Sequence, residues 1–113
     1  MIQIYHNNRC GKSRNCLLVL EESKVTFETI NYLNTPPTAV ELALLLQKLD
    51  LAPIELVRQK ESVWIEHFKG KILTDNEIIQ AMVENPILIE RPIVVNGDKA
   101  IIGRDLEKVI PFI

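Results

Sequence analysis

Residues 3–16 read Gln-Ile-Tyr-His-Asn-Asn-Arg-Cys-Gly-Lys-Ser-Arg-Asn-Cys, and the fold turns on where this stretch changes from strand to helix. Ile2, Ile4 and Tyr5 make a short apolar strand, a polar bend follows, and Cys10 stands at the end of the bend. After Gly11 the chain reads as helix from about Lys12 to Glu22. Cys10 therefore falls at or just before a helix N-terminus. There the first amide N–H groups lack intrahelical partners, and with the helix dipole they favour negative charge. A thiolate is such a charge, so the pKa of Cys10 is expected to fall. Arg9, Lys12 and Arg14, and with them His6, add positive potential nearby. A free cysteine is otherwise commonly a small buried hydrophobe. The polar and cationic neighbours argue for a reactive thiol instead.

Cys10 and Cys16 do not suit one disulfide. With helical residues between them, rising ~1.5 Å each, their Cα atoms stand roughly 9 Å apart, beyond the ~7 Å limit. There is no Cys-x-x-Cys, since the motif is Cys10-Gly-Lys-Ser13. Cys16 reads as a packed helix residue, and a redox-active Cys10 needs its partner thiol from outside.

The wider chain has 113 residues, which suits a single domain, 1–113, around one modest core. Its 47% hydrophobic and 25% charged residues are ordinary for a globular domain. A net charge of −2 gives no reason to expect a nucleic-acid or membrane-surface partner. No apolar run has bilayer length, and the N-terminus lacks a signal-peptide pattern. Two cysteines make no disulfide framework, so a reducing, cytoplasmic setting is expected.

The first helix carries a continuous apolar run, Cys16 to Leu20, which predicts burial on most sides. Thr26 to Tyr32 reads as the second strand, with Phe27 and Ile30 inward. Strand, helix, strand implies two parallel neighbours. Pro36-Pro37 interrupts the chain. Thr38 with Glu41 forms a capping box ahead of a helix bearing Leu42, Leu45, Leu46 and Leu49. Asp50 to Pro53 ends it, and a helical turn at Ile54 to Val57 leads to Arg58. Val63, Trp64 and Phe68 suggest a short helix before Lys69-Gly-Lys. A second capping box, Thr74 with Glu77, precedes a helix whose inner face is Ile78, Ile79, Met82 and Val83, and Asn85-Pro86 stops it. Pro92-Ile-Val-Val and Ala100-Ile-Ile read as an antiparallel pair turned at Asn96-Gly97. Gly103 opens a last helix, Asp105 to Ile110. There are no repeats, low-complexity tracts or linkers.

This order predicts an α/β chain with a four-stranded mixed sheet. It resembles the thioredoxin-like fold with a helical insertion after strand two. In that fold the turn from strand one to helix one carries the reactive cysteine, and a cis-proline precedes strand three. Pro92, after Arg91, holds that place.

The segment from His6 through Cys10 and Ser13 to Asn15 resembles the signature of the glutaredoxin-coupled arsenate reductase family. Leu56-Val-Arg58-Gln-Lys, Asn85-Pro-Ile-Leu-Ile-Glu-Arg91-Pro92-Ile-Val and Ile102-Gly103-Arg104 resemble the rest of its pattern, in order and along essentially the whole chain. The resemblance implies that Cys10 attacks arsenate, that glutathione displaces oxygen on the thiol–arsenate adduct, and that glutaredoxin completes reduction to arsenite. It assigns Arg58, Arg91 and Arg104 to the oxyanion and His6 to support of the thiolate, with Ser13 and Pro92 beside it. It implies no bound cofactor and no metal, glutathione being a co-substrate. Arginine suits the task because its fork of donors fits tetrahedral oxyanions. Singly, each of these arginines reads as a solvated surface charge, and it is the family pattern that reverses this; His6 alone reads equally as a core or surface histidine and as a site residue. The family more often has proline where Asn8 stands, which leaves the bend before Cys10 freer here.

A single-loop oxyanion site of the Cys-x5-Arg kind is excluded, because Cys16 stands where the arginine belongs. A P-loop reading of Gly11-Lys12-Ser13 lacks its first glycine near Asn7. Two alternatives remain. One is a thiol redox protein of the same fold acting through a mixed disulfide on another substrate. The other is an Spx-type regulator that binds RNA polymerase, for which Ser13 replaces the usual second cysteine.

Overall fold

The computed structural model describes residues 1–113. In chain order the elements are β1 (Ile2–His6), α1 (Gly11–Glu22), β2 (Phe27–Asn31), α2 (Ala39–Leu49), α3 (Ser62–His67), α4 (Asp75–Glu84), β3 (Ile93–Asn96), β4 (Lys99–Ile102) and α5 (Leu106–Phe112). Two 3-10 turns, Pro53–Leu56 and Pro86–Leu88, flank α3 and α4. The chain divides into a sheet unit, Met1–Thr35 with Arg91–Ile113, and a helical unit, Pro36–Glu90. The helical unit is thus the insertion between β2 and β3, and the fold is the thioredoxin-like α/β fold.

The sheet runs β2-β1-β3-β4. β1 pairs parallel with β2, and the β1–β3 and β3–β4 pairs are antiparallel, so the sheet is mixed as expected. Alternation along β1 puts Ile2, Ile4 and His6 on one buried face. Ile2 and Ile4 meet Cys16, Leu20, Val94 and Val109 in a common core. Full burial of each large aliphatic side chain there is worth roughly 1.5–3 kcal/mol.

Four details correct the sequence reading. First, α1 is not buried on most sides: only Ser13, Cys16 and Leu20 are, and Leu18 is 52% exposed. An apolar run on a helix samples every direction, and only the 3.6-residue stripe meets the sheet. Second, Phe27 and Ile30 do not share an inward face, because strand neighbours three apart point to opposite sides. Phe27 packs on the core while Ile30 is half-buried. Third, the hairpin loop is Gly97-Asp98, with Asn96 still in β3 and paired to Lys99. Gly97 takes φ +66° and Asp98 does not take positive φ, the pattern of a type II′ turn. Fourth, α5 begins one residue later than expected and extends further, with Asp105 Oδ1 accepting the Glu107 amide at 3.0 Å.

Within the helical unit both capping boxes form. Thr38 Oγ1 accepts from the Glu41 amide at 3.2 Å and Glu41 returns the bond to the Thr38 amide at 2.9 Å. Thr74 and Glu77 repeat both bonds at the same lengths. The contact stripes are Leu42, Leu45 and Leu46 on α2 and Ile78, Ala81 and Met82 on α4, while Ile79 and Val83 are only half-buried. Trp64 is buried and stacks on Phe68 with centroids 5.2 Å apart. Val57 bridges Ile89, and the Arg58 amide donates to Leu88 O at 2.7 Å. No helix is long and apolar enough to cross a membrane.

Candidate active site

β1 ends at His6 and α1 starts at Gly11, so four residues make the whole turn. The Cys10 amide donates to Asn7 O at 3.0 Å, which closes it. Asn7 Oδ1 accepts the Arg9 amide at 3.0 Å, the local bond that makes asparagine a turn former. Arg14 Nη1 donates to Asn8 O at 3.0 Å from the first turn of α1. The bend is therefore tied, not freed, with asparagine at position 8.

Cys10 is the N-cap of α1, in extended conformation, and its side chain makes no capping bond. Its thiol is partly buried. Burial pushes the pKa up, but the nearby Ser13 amide, the Arg91 guanidinium and the Lys12 amide together more than offset it. The net result lies below the ordinary thiol value, because each donor favours the thiolate. The charge that reaches the sulfur is that of Arg91, not those of Arg9, Lys12 or Arg14.

His6 is 5% exposed, and its Nδ1 lies 2.6 Å from Ser13 Oγ. The same oxygen accepts the Asn7 amide at 3.0 Å. Ser13 is fully buried, so one hydroxyl pins the first turn of α1 to the end of β1. Burial lowers the His6 pKa, the Ser13 backbone opposes this, and the Arg14 charge lowers it again, for a net shift below the ordinary histidine value. At neutral pH the ring is neutral, so His6 adds no positive potential, contrary to the sequence expectation. Its connection to Cys10 runs through Ser13, whose hydroxyl holds His6 while its amide faces the sulfur.

The Arg91–Pro92 peptide is cis, as expected from the fold. Pro92 is buried directly before β3 and accepts the Gly103 amide at 2.8 Å. Arg104 is exposed and donates from Nη1 to Arg91 O at 3.3 Å. Arg91 and Arg104 thus share one corner of the sheet unit, with Arg91 on the Cys10 sulfur. Arg58 belongs to the helical unit, where its Nε pairs with Glu61 Oε1 at 3.1 Å.

The sequence reading missed Gly103, treating it as a helix opener. A Cβ there would lie 2.9 Å from Cys16 Sγ, 3.2 Å from Val94 Cγ2 and 3.3 Å from Pro92 Cγ. Glycine lets the end of β4 close on α1 and Pro92 together. The signal available in the sequence was a glycine between apolar strand residues and an arginine, which marks close backbone approach.

A thiol eased toward its anion at a helix N-terminus, with the Arg91 guanidinium beside it, defines a thioredoxin-like thiol protein. The chain belongs to the ArsC family, whose profile matches residues 5–112. It is 46% identical over 114 residues to the Escherichia coli protein YfgD, covering 99% of this chain and 96% of that one. It is 40% identical over 110 residues to an arsenate reductase of Neisseria meningitidis, covering 96% and 94% of the two. The structure superposes on an arsenate reductase from Vibrio cholerae with a TM-score of 0.93 at 40% identity, over 99% and 97% of the two chains.

Proposed function

We propose that this chain is an arsenate reductase that works through Cys10, with glutathione and glutaredoxin as its reductants. The observation that carries the reading is Cys10 at the N-cap of α1, where the Ser13 and Lys12 amides and Arg91 lower the pKa of its thiol. A nucleophilic anion and an anionic substrate repel each other unless cations neutralise both. Arg91 does so at the sulfur, and Arg104 at the same corner takes a further substrate oxygen. Arg58 is assigned to the oxyanion on its sequence motif alone.

The electron count closes in four steps. The Cys10 thiolate displaces one arsenate oxygen, which leaves as water after taking up protons, and arsenic stays As(V). Glutathione condenses with the adduct and expels a second oxygen as water. A glutaredoxin thiolate then attacks the glutathione sulfur. The As–S(glutathione) bond breaks with its electron pair left on arsenic, giving As(III) and a glutaredoxin–glutathione disulfide. Hydrolysis of the remaining Cys10 S–As bond frees arsenite and the thiol. No second protein cysteine is needed, which matches a Cys16 thiol buried in the core and raised to about 11. Such chemistry belongs in a reducing, cytoplasmic compartment.

The test is arsenate-dependent NADPH oxidation with glutathione, glutaredoxin and glutathione reductase supplied, for wild type and Cys10→Ser. Turnover in the wild type that vanishes in the variant is the expected result. A wild type that does not turn over would move the function to another oxyanion, a mixed-disulfide substrate or a protein partner.

A further inference from the structure

A second concave feature lies on the other flank of the Cys10 turn and is not used by the thiol or the arginine corner. It is a cavity of about 480 Å³ within the sheet unit, between the turn after β1 and the segment after β2. That volume is in the range of small-molecule sites. Asn7, Asn8, Asn31, Asn34, His6 and Arg9 line it, and no carboxylate does.

The polar groups in this lining are largely unspent inside the protein. Asn7 is 4% exposed, and its Oδ1 is taken by the Arg9 amide, which leaves the Nδ2 donors without a protein acceptor. His6 spends Nδ1 on Ser13 and has no protein partner at Nε2. The side-chain amides of Asn8, Asn31 and Asn34 bond nothing in the protein, and Arg9 has no ion pair. Each asparagine offers two N–H donors and one carbonyl acceptor, the complement of a peptide amide. Arg9 offers the fork that fits a carboxylate. A ligand suited to this lining carries amides and at least one carboxylate. The cavity is lined by the turn that carries Cys10, in which the Asn7 carbonyl accepts the Cys10 amide at 3.0 Å.

Building on the proposed reductase function, we infer that this cavity binds the peptide of the co-substrate, a small thiol peptide of the glutathione class. The asparagine amides pair with its peptide bonds, and Arg9 takes a carboxylate. Oxyanion and reductant thus approach Cys10 from two separate flanks. The arginine corner takes the first and the asparagine cavity the second.

The test uses S-methylglutathione, which has the peptide and carboxylates but no free thiol, titrated into 15N-labelled wild-type protein. Saturable shifts of the Asn7, Asn31 and Asn34 side-chain NH2 signals are expected. Arg9→Gln and the double variant Asn31→Ala/Asn34→Ala change exposed side chains and keep the fold. Each is expected to weaken that binding, and to raise the KM for glutathione, by about tenfold, the equivalent of one charge-assisted or two neutral hydrogen bonds. The KM for arsenate is expected to stay within about twofold, since these residues do not meet the oxyanion. Shifts confined to Arg91, Gly103 and Arg104, no saturable shifts, or an unchanged glutathione KM in both variants would overturn the inference. Absent arsenate turnover in the wild type, with saturable asparagine shifts, would overturn the proposed function and leave the peptide-thiol site standing.

Discussion

Cys10 and Cys16 lie on the same helix, six residues apart, and their thiols move in opposite directions. At the N-cap, two amides and Arg91 more than offset burial and bring the Cys10 pKa down. In the helix interior the same amides are consumed by the helix itself, and burial alone pushes Cys16 up to about 11. The contrast shows that helix position and one long-range cation, not the residue type, decide which thiol is eased toward its anion and which is held neutral. It also separates two uses of cysteine: a partly buried helix end where charge is welcome, and a packed site where the thiol is only a small apolar group.

The comparison can be broken most directly at Cys10. Cys10→Ser is expected to lower arsenate turnover by about three orders of magnitude or more, the scale of losing a nucleophile. Substantial turnover in that variant would remove Cys10 as the reacting group. Next in size is Arg91→Ala. It is expected to weaken oxyanion binding by about 10- to 100-fold, the worth of a charged hydrogen bond. The alkylation midpoint of Cys10 rises at the same time, because the hydrogen bond and charge that lower its pKa are gone. Iodoacetamide kinetics against pH read the second effect, and an unmoved midpoint would mean that the amides alone set the thiolate.

Stability against pH sharpens the contrast further. Cys16 has a folded pKa above its unfolded value, so its contribution is fully present below pH 9 and is lost as pH rises through about 11. The loss is about 2–3 kcal/mol by that shift. Cys10, with its pKa depressed, has the opposite sign: its contribution is present at high pH and is lost as pH falls through its folded value. Urea midpoints between pH 8 and 11 should therefore fall less steeply in Cys16→Ala than in wild type. An identical slope would show that Cys16 reaches solvent. Turnover of the same variant should stay within about threefold of wild type, as expected for a residue outside the chemistry.

The smallest expected effect concerns the packing around the Cys16 sulfur. Gly103→Ala is expected to cost about 1–3 kcal/mol by overpacking, since its Cβ would sit 2.9 Å from Cys16 Sγ. Combining it with Cys16→Ala removes that atom and should recover part of the loss. A double-mutant cycle with no coupling would place the strain on Val94 and Pro92 instead.

Much of the fold is legible in the amino-acid sequence. The capping boxes at Thr38/Glu41 and Thr74/Glu77, the leucine stripe of α2 and the helix start after Cys10 all depend on residues within a few positions of one another. Local hydrogen bonds and periodicity carry that information. Failures arise where a partner lies outside the local window. The run from Cys16 to Leu20 reads as uniformly apolar, and only the sheet beneath decides that Leu18 stays exposed. His6 reads as a potential cation, yet strand parity buries it beside Ser13 and leaves it neutral.

By itself, then, the amino-acid sequence determined the order of elements, the helix insertion between β2 and β3, and the placing of Cys10 at an N-cap. These rest on backbone preferences and short-range bonds. Only the tertiary structure decided that Arg91 is the charge on the sulfur, that Ser13 ties His6 to α1, and that Gly103 must have no side chain. Each of these depends on groups distant in sequence meeting within a few ångströms. Electrostatic and steric forces act through space at that range, whatever the separation along the chain.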